Sequence, residues 1–218
     1  MDREIIVTED GSHSLFVKDM GETFHSKHGA VQESAHVYIK NGIKLINKET
    51  IDVLEYGFGT GLNALLTLEF AVNNNKKIIY ESIEAYPLTT DEFNLLNYND
   101  FVKTPVSLQK LHEIPVDTNE MVTEHFSLLK HFCKIEDFKT INKFDIVYFD
   151  VFGFDYQSEL WSVEILQKAY DFLNTDGIFV TYACKGLINR RLKEIGFKVH
   201  KTAGSPGKRE MIIAVKKI

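Results

Sequence analysis

The sequence predicts an α/β fold in which a mostly parallel, seven-stranded sheet follows an N-terminal β-hairpin. A glycine-rich turn joins an apolar strand to an apolar helix within residues 51–70. Strand-like and helix-like segments then alternate along the chain, as they do in proteins with parallel sheets. Because 218 residues suit a single domain, we expect an N-terminal hairpin and first helix (1–45) to pack on the main domain (46–218).

The N-terminal region has the pattern of a hairpin followed by a helix. Residues 4–8 and 14–18 are rich in apolar and β-branched side chains and flank the turn sequence Glu-Asp-Gly-Ser-His, which predicts two paired strands. A helix is expected over 31–39. The nearby His25 and His28 lack a matching set of carboxylates or cysteines, so no metal site is predicted.

The glycine turn is the most informative motif. A short apolar strand over 51–54 runs into Glu-Tyr-Gly-Phe-Gly-Thr-Gly (55–61) and then into a helix that begins at Leu62. Alternate glycines allow a tight turn and a close approach of a ligand to the backbone, and the helix N-terminus offers free N–H groups. The dinucleotide pattern G-x-G-x-x-G fails at Leu62, and the GK[ST] ending of a phosphate loop is missing. The pattern E-x-G-x-G-x-G resembles the first motif of class I S-adenosylmethionine methyltransferases, which have a Rossmann-like fold.

The second strand of the series is predicted over 77–85 and contains Glu84 near its end. A carboxylate there can accept hydrogen bonds from both ribose hydroxyls of an adenosine cofactor. The alternative is an ordinary exposed acid. A helix is expected over 88–98, followed by loops and short helices over 99–125.

Two further strands end at acidic residues. The third strand is predicted over 126–135, and either Glu136 or Asp137 can meet the adenine amino group; we assign Asp137 and leave Glu136 open. The fourth strand is predicted over 144–149 and ends at Asp150. Ligands of open α/β sheets bind at the carboxyl ends of strands, so Asp150 is expected where substrate and cofactor meet. The alternative is a carboxylate that caps the next helix.

The remaining pattern completes the sheet. A helix is expected over 163–173, a strand over 178–182, a basic helix over 186–195 and a final strand pair over 197–201 and 211–215.

Composition excludes several protein classes. Hydrophobic residues make up 44% of the chain, which is enough for a core, and no apolar run reaches the length of a membrane span. The N-terminus lacks the apolar core of a signal peptide. Cys133 and Cys184 form no CxxC pair and are expected to be reduced thiols of a cytoplasmic protein.

Charge is unevenly distributed along the chain. The net charge is −6, yet residues 183–218 contain ten Lys or Arg and only two acids. A basic end on an acidic body is typical of a phosphate-binding face. The alternative is a solvated surface.

Four stretches resemble the tRNA 5-methylaminomethyl-2-thiouridine methyltransferases, the stand-alone relatives of the methyltransferase half of a bifunctional wobble-uridine enzyme. They are residues 25–26, 29–30, 33–34 and 36–39; residues 55–63; residues 148–152 and 159–161; and residues 181–182, 185–186 and 206–211. The chain departs from the family pattern at Val151, where Ala is usual, and at Phe154 and Ser158, where Pro is expected. Loss of proline removes a restriction on this loop.

The resemblance implies methylation, by S-adenosyl-L-methionine, of the primary amine of 5-aminomethyl-2-thiouridine at the wobble position of tRNA. It implies contact with the tRNA anticodon arm, and we expect no fused flavin oxidase domain and no membrane partner. The alternatives are a methyltransferase acting on small amines or carboxylates, and a non-catalytic RNA-binding module on the same fold.

Site residues follow from the motifs and the resemblance. Asp150 is expected to orient the amine and to balance its developing charge. The expected cofactor residues are Glu33, implied by the resemblance, with Glu55, Gly57, Gly59, Gly61, Glu84 and Asp137. The expected substrate residues are Phe152, Phe154 and Trp161, for stacking on a splayed uridine, and Lys185, Arg190, Arg191, Lys208 and Arg209, for phosphates. For Trp161, packing in the core is the alternative.

Overall fold

The computed structural model describes residues 2–217 and confirms the α/β fold. Strands β1 (Arg3–Val7), β2 (His13–Val17) and β3 (Glu22–Thr23) form a separate antiparallel sheet at the N-terminus. The pairing of β1 with β2 confirms the predicted hairpin. Strand β3 has no counterpart among the predicted strands, because two residues are too few to leave a pattern in the sequence.

Within the described part of the chain, the main sheet contains eight strands and is accompanied by six α-helices. Its strands are β4 (Thr50–Tyr56), β5 (Lys77–Ile83), β6 (Glu120–Thr123), β7 (Phe126–His131), β8 (Phe144–Phe149), β9 (Leu173–Thr181), β10 (Phe197–Ala203) and β11 (Glu210–Lys216). The helices are α1 (Ala30–Ser34), which continues as a π-helical segment (Ala35–Lys40), α2 (Leu62–Asn73), α3 (Thr90–Asn94), α4 (Leu108–Glu113), α5 (Val163–Phe172) and α6 (Gly186–Ile195).

The strand order across the main sheet is β10-β11-β9-β8-β4-β5-β7-β6. Strands β9, β8, β4, β5 and β7 are parallel, whereas β10, β11 and β6 run antiparallel to their neighbours. The chain leaves β4 through β5 on one side and returns at β8 on the other. The carboxyl ends of β4 and β8 therefore border the crevice where such sheets bind ligands.

The eighth strand, β6, lies in the segment predicted as loops and short helices. It pairs antiparallel with β7 at the edge of the sheet, with an irregularity between Met121 and Thr123. The side chain of Met121 is 67% exposed. An irregular edge strand that shows apolar side chains to solvent lacks the alternation by which a strand is predicted.

Three predicted boundaries are wrong. The third strand, predicted over 126–135, ends at His131. Strand β9 begins at Leu173, although Asn-Thr-Asp-Gly (174–177) predicts a turn before a strand at 178. Asp176 has a positive φ of 62°, and the pairing with β8 shifts its register at this point. The residues predicted as a turn therefore form a bulge within the strand. The helix predicted over 88–98 is limited to α3, which begins with a capping box formed by Thr89 and Glu92.

Apolar side chains of the main sheet pack on both of its faces. In β4, Ile51 and Val53 join the cluster that contains α2, whereas Leu54 and Tyr56 join the cluster that contains α5 and α6. A strand buried on both faces appears in sequence as a nearly continuous apolar run. Within residues 2–217, no helix has the length and apolar character needed to cross a membrane.

Candidate active site

A cleft of about 330 Å³ lies at the carboxyl ends of β4, β5 and β8. Its walls come from the loops that follow these strands, from the segment after β7 and from the N-terminal sheet. The lining residues are Arg3, Phe24, His25, Gly57, Phe58, Gly59, Thr60, Leu62, Asn63, Ile83, Glu84, Ala85, Tyr86, Lys134, Ile135, Glu136, Asp150, Val151, Phe152, Gln157, Glu159 and Leu160.

Gly57 brings the glycine turn against the end of β8. Its φ is +90°, and a Cβ at this position would lie 2.5 Å from the carbonyl oxygen of Asp150. The Asp150 amide in turn donates to the Tyr56 carbonyl at 3.0 Å. Only glycine fits both the backbone conformation and the close approach, so this residue sets the distance between the turn and Asp150.

Glu84 closes the opposite side of the turn. Its two carboxylate oxygens accept hydrogen bonds from the backbone amides of Gly59, at 2.8 Å, and Tyr86, at 2.7 Å. These bonds fix the carboxylate at the cleft wall, and each oxygen keeps a lone pair for a further donor. Glu84 lines the cleft, and its contact with a ribose stays a prediction.

Asp150 is half-buried in the cleft wall directly after β8. The Asn63 amide donates a 2.7 Å hydrogen bond to its Oδ2 atom. Burial raises the pKa of Asp150 to about 6, and the nearby Tyr38 hydroxyl and the Asn63 amide offset this only in part. The side chain is therefore mostly ionised at neutral pH and can accept an N–H bond from a ligand.

Two of the expected cofactor residues, Glu55 and Gly61, do not belong to the cleft lining. Glu55 is fully buried and accepts hydrogen bonds from Asn63 (3.1 Å) and Ser82 (2.7 Å), and burial raises its pKa to about 8. Gly61 has a φ of +75° at the start of α2, and a Cβ there would meet His112. Gly61 therefore allows the backbone conformation of the turn. Glu55 accepts a hydrogen bond that holds the Asn63 side chain.

Glu33 also lies outside the cleft lining. It is 5% exposed, and its carboxylate lies 2.6 Å from the ammonium of Lys208. It accepts further hydrogen bonds from the Ser26 amide at 2.7 Å and the Ser205 hydroxyl at 3.2 Å. The predicted phosphate contact of Lys208 is corrected too, since this ammonium points inward, 3.8 Å from the centre of the Tyr182 ring.

Glu136 and Asp137 differ in their position relative to the cleft. Glu136 lines the cleft beside Lys134 and Ile135. Asp137 is exposed outside the lining, where its amide closes a turn by donating to the Lys134 carbonyl. Glu136 is therefore the better placed of the two for the adenine side, and the assignment of Asp137 stays a prediction that the cleft lining does not support.

The aromatic residues divide between cleft and core. Phe152 lines the cleft and packs edge-to-face on Phe24, with 5.1 Å between ring centres. Trp161 is 0% exposed, packs on Phe149 and donates its indole N–H to the Phe152 carbonyl at 2.9 Å. The prediction that Trp161 stacks on a nucleobase is wrong, because its ring supports the loop from within the core.

The basic residues predicted to contact phosphates differ in exposure and in the partners of their side chains. Arg190 and Arg209 are exposed. The Lys185 ammonium pairs with Asp155, and Arg191 donates to the Trp161 carbonyl at 2.6 Å. Both of these cations lie beside the half-buried ring of Phe154 rather than projecting freely into solvent.

Sequence reasoning missed several residues of the cleft. Arg3 reaches from β1 to the Tyr86 carbonyl (2.6 Å) and Glu92 (3.1 Å), and Phe24 lies over Gly59. Neither residue has a local signal, because their role depends on how the N-terminal sheet packs. Asn63 does have a local sequence signal, because it is the last residue of the stretch 55–63 that contains the glycine motif.

Comparison with known proteins supports a methyltransferase. Residues 96–217 match a family of S-adenosyl-L-methionine-dependent methyltransferases. The chain is 25% identical over 213 residues to the tRNA 5-methylaminomethyl-2-thiouridine biosynthesis bifunctional protein MnmC of Burkholderia multivorans, with 88% of this chain and 32% of that protein covered. It is 26% identical over 226 residues to the MnmC protein of a Marinomonas species, with 94% and 32% covered.

Among solved structures, MNMC2 from Aquifex aeolicus is similar, with a TM-score of 0.76 and 25% identity over 98% of this chain and 69% of that one. The chain spans about a third of the length of the curated relatives it matches. The family match covers more than half of the chain and includes β8 and Asp150. The chain therefore belongs to the S-adenosyl-L-methionine-dependent methyltransferases, and S-adenosyl-L-methionine is its cofactor.

Proposed function

We propose that the chain methylates the primary amine of 5-aminomethyl-2-thiouridine, or of 5-aminomethyluridine, at the wobble position of tRNA. The observation that carries the proposal is Asp150, an ionisable carboxylate in the wall of the cleft and next to the glycine turn. The names of the two MnmC relatives supply the class of acceptor, and their similarity extends over most of this chain.

The residues present fit S-adenosyl-L-methionine. Gly57 and Gly59 place no side chain in the cleft, so a ligand can lie against the backbone of the turn. Glu84 presents a fixed carboxylate for the ribose hydroxyls, and Glu136 lies farther along the same wall for the adenine. The bound cofactor supplies an electrophilic methyl group.

Asp150 is suited to hold an amine in the reactive orientation. Its Oδ2 accepts a hydrogen bond from Asn63, and the Tyr38 hydroxyl is a second hydrogen-bonding neighbour of the carboxylate. An N–H of the acceptor amine can donate to the carboxylate and leave the nitrogen lone pair free. The carboxylate also offsets the positive charge that develops on nitrogen in the transition state. Positioning of this kind contributes up to roughly 7–11 kcal/mol in favourable cases.

An aromatic ring of the cleft and two exposed arginines are suited to bind a tRNA loop. Phe152 offers an aromatic edge at the cleft, where an unstacked base can pack. Arg190 and Arg209 are exposed cations from α6 and the β10–β11 turn, and such side chains bind phosphates with strong salt dependence. Asp150, Phe152 and these two arginines form the proposed tRNA face.

A methylation assay tests the proposal. Purified protein, labelled S-adenosyl-L-methionine and tRNA bearing the unmethylated aminomethyl group are combined, and the wobble nucleoside is analysed by mass spectrometry. We expect one added methyl on the amine with wild type, and loss of at least about 100-fold in rate with Asp150→Ala.

Two control arms separate the alternatives. The free nucleoside is expected to react far more slowly than whole tRNA; equal turnover would indicate a small-molecule methyltransferase. Binding of tRNA without any methyl transfer, and without cofactor binding by calorimetry, would indicate an RNA-binding module and would overturn the proposal.

A further inference from the structure

A buried chain of hydrogen bonds runs from the sheet to Asp150. Its first member is Glu55 of β4, which is fully buried, and its middle member is Asn63, which is 4% exposed at the start of α2. The Asn63 Nδ2 atom donates to Glu55 Oε1 at 3.1 Å and to Asp150 Oδ2 at 2.7 Å. One amide group therefore uses both of its N–H bonds on two carboxyl groups.

Glu55 is held in turn by its neighbours. The Ser82 hydroxyl of β5 donates to Oε2 at 2.7 Å. Burial raises the pKa of Glu55 to about 8, so the side chain is mostly neutral at pH 7 and remains an acceptor without adding a second buried charge beside Asp150. Ser82, Glu55 and Asn63 lie on three different elements, so each bond restrains the next side chain.

We propose that Asn63, held by Glu55, is the positioning residue that fixes the carboxylate of Asp150 for the acceptor amine. This proposal rests on the proposed function. Asn63 holds Oδ2 at the cleft wall, and a carboxylate restrained in this way can accept a further N–H bond from the acceptor. Without the Nδ2 donor, the carboxylate loses its restraint at Oδ2, and the amine has a less well fixed partner.

Other groups also act on Asp150, and their effects on its pKa have to be distinguished from the effect of Asn63. The Tyr38 hydroxyl lowers the Asp150 pKa, Glu33 raises it and Lys208 lowers it. Burial and then the charge of Asp150 raise the pKa of the partly buried Tyr182 phenol. Tyr38 belongs to the π-helical segment, Glu33 to α1 and Lys208 to the β10–β11 turn, so substitution at position 63 leaves all of them in place.

Four variants test the chain of bonds from both ends. Asn63→Ala removes the donor. Glu55→Leu removes the acceptor that holds it, whereas Glu55→Gln keeps an acceptor oxygen for Asn63 and serves as the conservative control. Asp150→Asn assigns the carboxyl signal of Asp150 in a ¹³C NMR titration of the protein without tRNA, and circular dichroism checks that each variant is folded.

We expect the titration midpoint of Asp150 to rise by about one pH unit in Asn63→Ala, because a hydrogen bond to the charged form is lost. Single-turnover methyl transfer is expected to slow ~10- to 100-fold, with the affinity for S-adenosyl-L-methionine changed less than about twofold. Glu55→Leu is expected to act in the same direction, and Glu55→Gln to stay within about threefold of wild type.

An unchanged Asp150 midpoint in folded Asn63→Ala would overturn the proposal, as would a Glu55→Gln variant as slow as Glu55→Leu. Should Asn63→Ala fail to fold, the comparison of Glu55→Leu with Glu55→Gln decides the same question. The titration needs no acceptor, so it separates this proposal from the proposed function: a shifted midpoint in a protein that does not methylate tRNA would leave the positioning role intact and remove the proposed substrate.

Discussion

The carboxylate of Glu33 lies 2.6 Å from the ammonium of Lys208, and this pair ties the first helix to the turn between β10 and β11. Glu33 is nearly buried, whereas the Lys208 side chain is 32% exposed. The attraction of Lys208 and the hydrogen bond from Ser26 hold the pKa of Glu33 below its usual range, although burial acts in the opposite direction. The two ends of the chain are thereby joined beside the active site.

Breaking this pair is expected to destabilise the protein. Lys208→Met leaves the Glu33 carboxylate without its main partner, and we expect a loss of about 2–4 kcal/mol in the free energy of unfolding, reduced from the fully buried case by the exposure of Lys208. Urea denaturation measures the loss. Lys201→Met, which removes an exposed partner of Glu210 in the same hairpin, is the control and should leave the midpoint nearly unchanged.

The pair also predicts a dependence of stability on pH. The folded pKa of Glu33 lies below its ordinary value of 4.5, so its contribution is complete above about pH 4.5 and is lost as pH falls through the folded pKa. Glu33→Gln with Lys208→Met is expected to remove this acid-sensitive part. A double variant that loses stability with acid as steeply as wild type would contradict the assignment.

Gly57→Ala is expected to disrupt the turn and the cleft together. The new Cβ would lie 2.5 Å from the Asp150 carbonyl oxygen at a φ of +90°, and strain of this kind costs about 2–4 kcal/mol. Calorimetry should also show weaker binding of S-adenosyl-L-methionine. Gly153→Ala, whose nearest new contact is an ordinary 3.7 Å, is the matched control and should change stability by less than about 0.5 kcal/mol.

The same glycine shows why the sequence predicts the fold well. The strand before it, the turn and helix α2 are consecutive, and their pattern is complete within residues 51–73. Because the parallel order follows from alternating elements, the position of Asp150 at the cleft also follows. Strand β6 has no such pattern, since its exposed Met121 reflects an edge position that only the folded sheet defines.

Side-chain direction could not be predicted in the same way. Glu55 and Trp161 stand in motifs shared with the family, yet both face inward and act through the groups they hold. A motif identifies residues that are needed near a site, but it does not distinguish contact from support. The position of Arg3 could not be predicted from the sequence for another reason. It depends on contacts with Tyr86 and Glu92, which lie more than eighty residues away in the chain.

Methyl transfer is expected to depend on the ionisation of Asp150. Since burial raises the pKa of Asp150 to about 6, the rate should fall about tenfold per pH unit below that value as the carboxylate is protonated. Single-turnover rates measured from about pH 5 to 8 test this. In Asp150→Asn the overall rate should be low and this acidic limb absent, while any limb from the acceptor amine itself should persist. An acidic limb unchanged in Asp150→Asn would assign it to another group.

Substitution of Phe152 is expected to weaken substrate binding, whereas substitution of Trp161 is expected to lower stability. Phe152→Ala should lower kcat/KM for tRNA about 5- to 100-fold, as removal of a base-stacking ring does, with little change in unfolding. Trp161→Phe should cost about 1–3 kcal/mol of stability, because it leaves a cavity and the Phe152 carbonyl loses its indole donor. Its kcat/KM at low temperature should stay near that of wild type. The reverse pattern would restore Trp161 as a base-stacking residue.

The salt dependence of tRNA binding is expected to show whether the exposed arginines bind phosphates. Arg190→Ala and Arg209→Ala should each weaken binding and reduce the slope of log K against log salt by about 0.7–0.9 if each binds one phosphate. Filter binding across a range of salt concentrations measures the slope. Lys77→Ala is the control, since Lys77 is exposed at the amino end of β5, opposite the cleft, and should leave the slope unchanged. Equal losses at positions 77, 190 and 209 would mean that tRNA is attracted by general charge rather than held at this face.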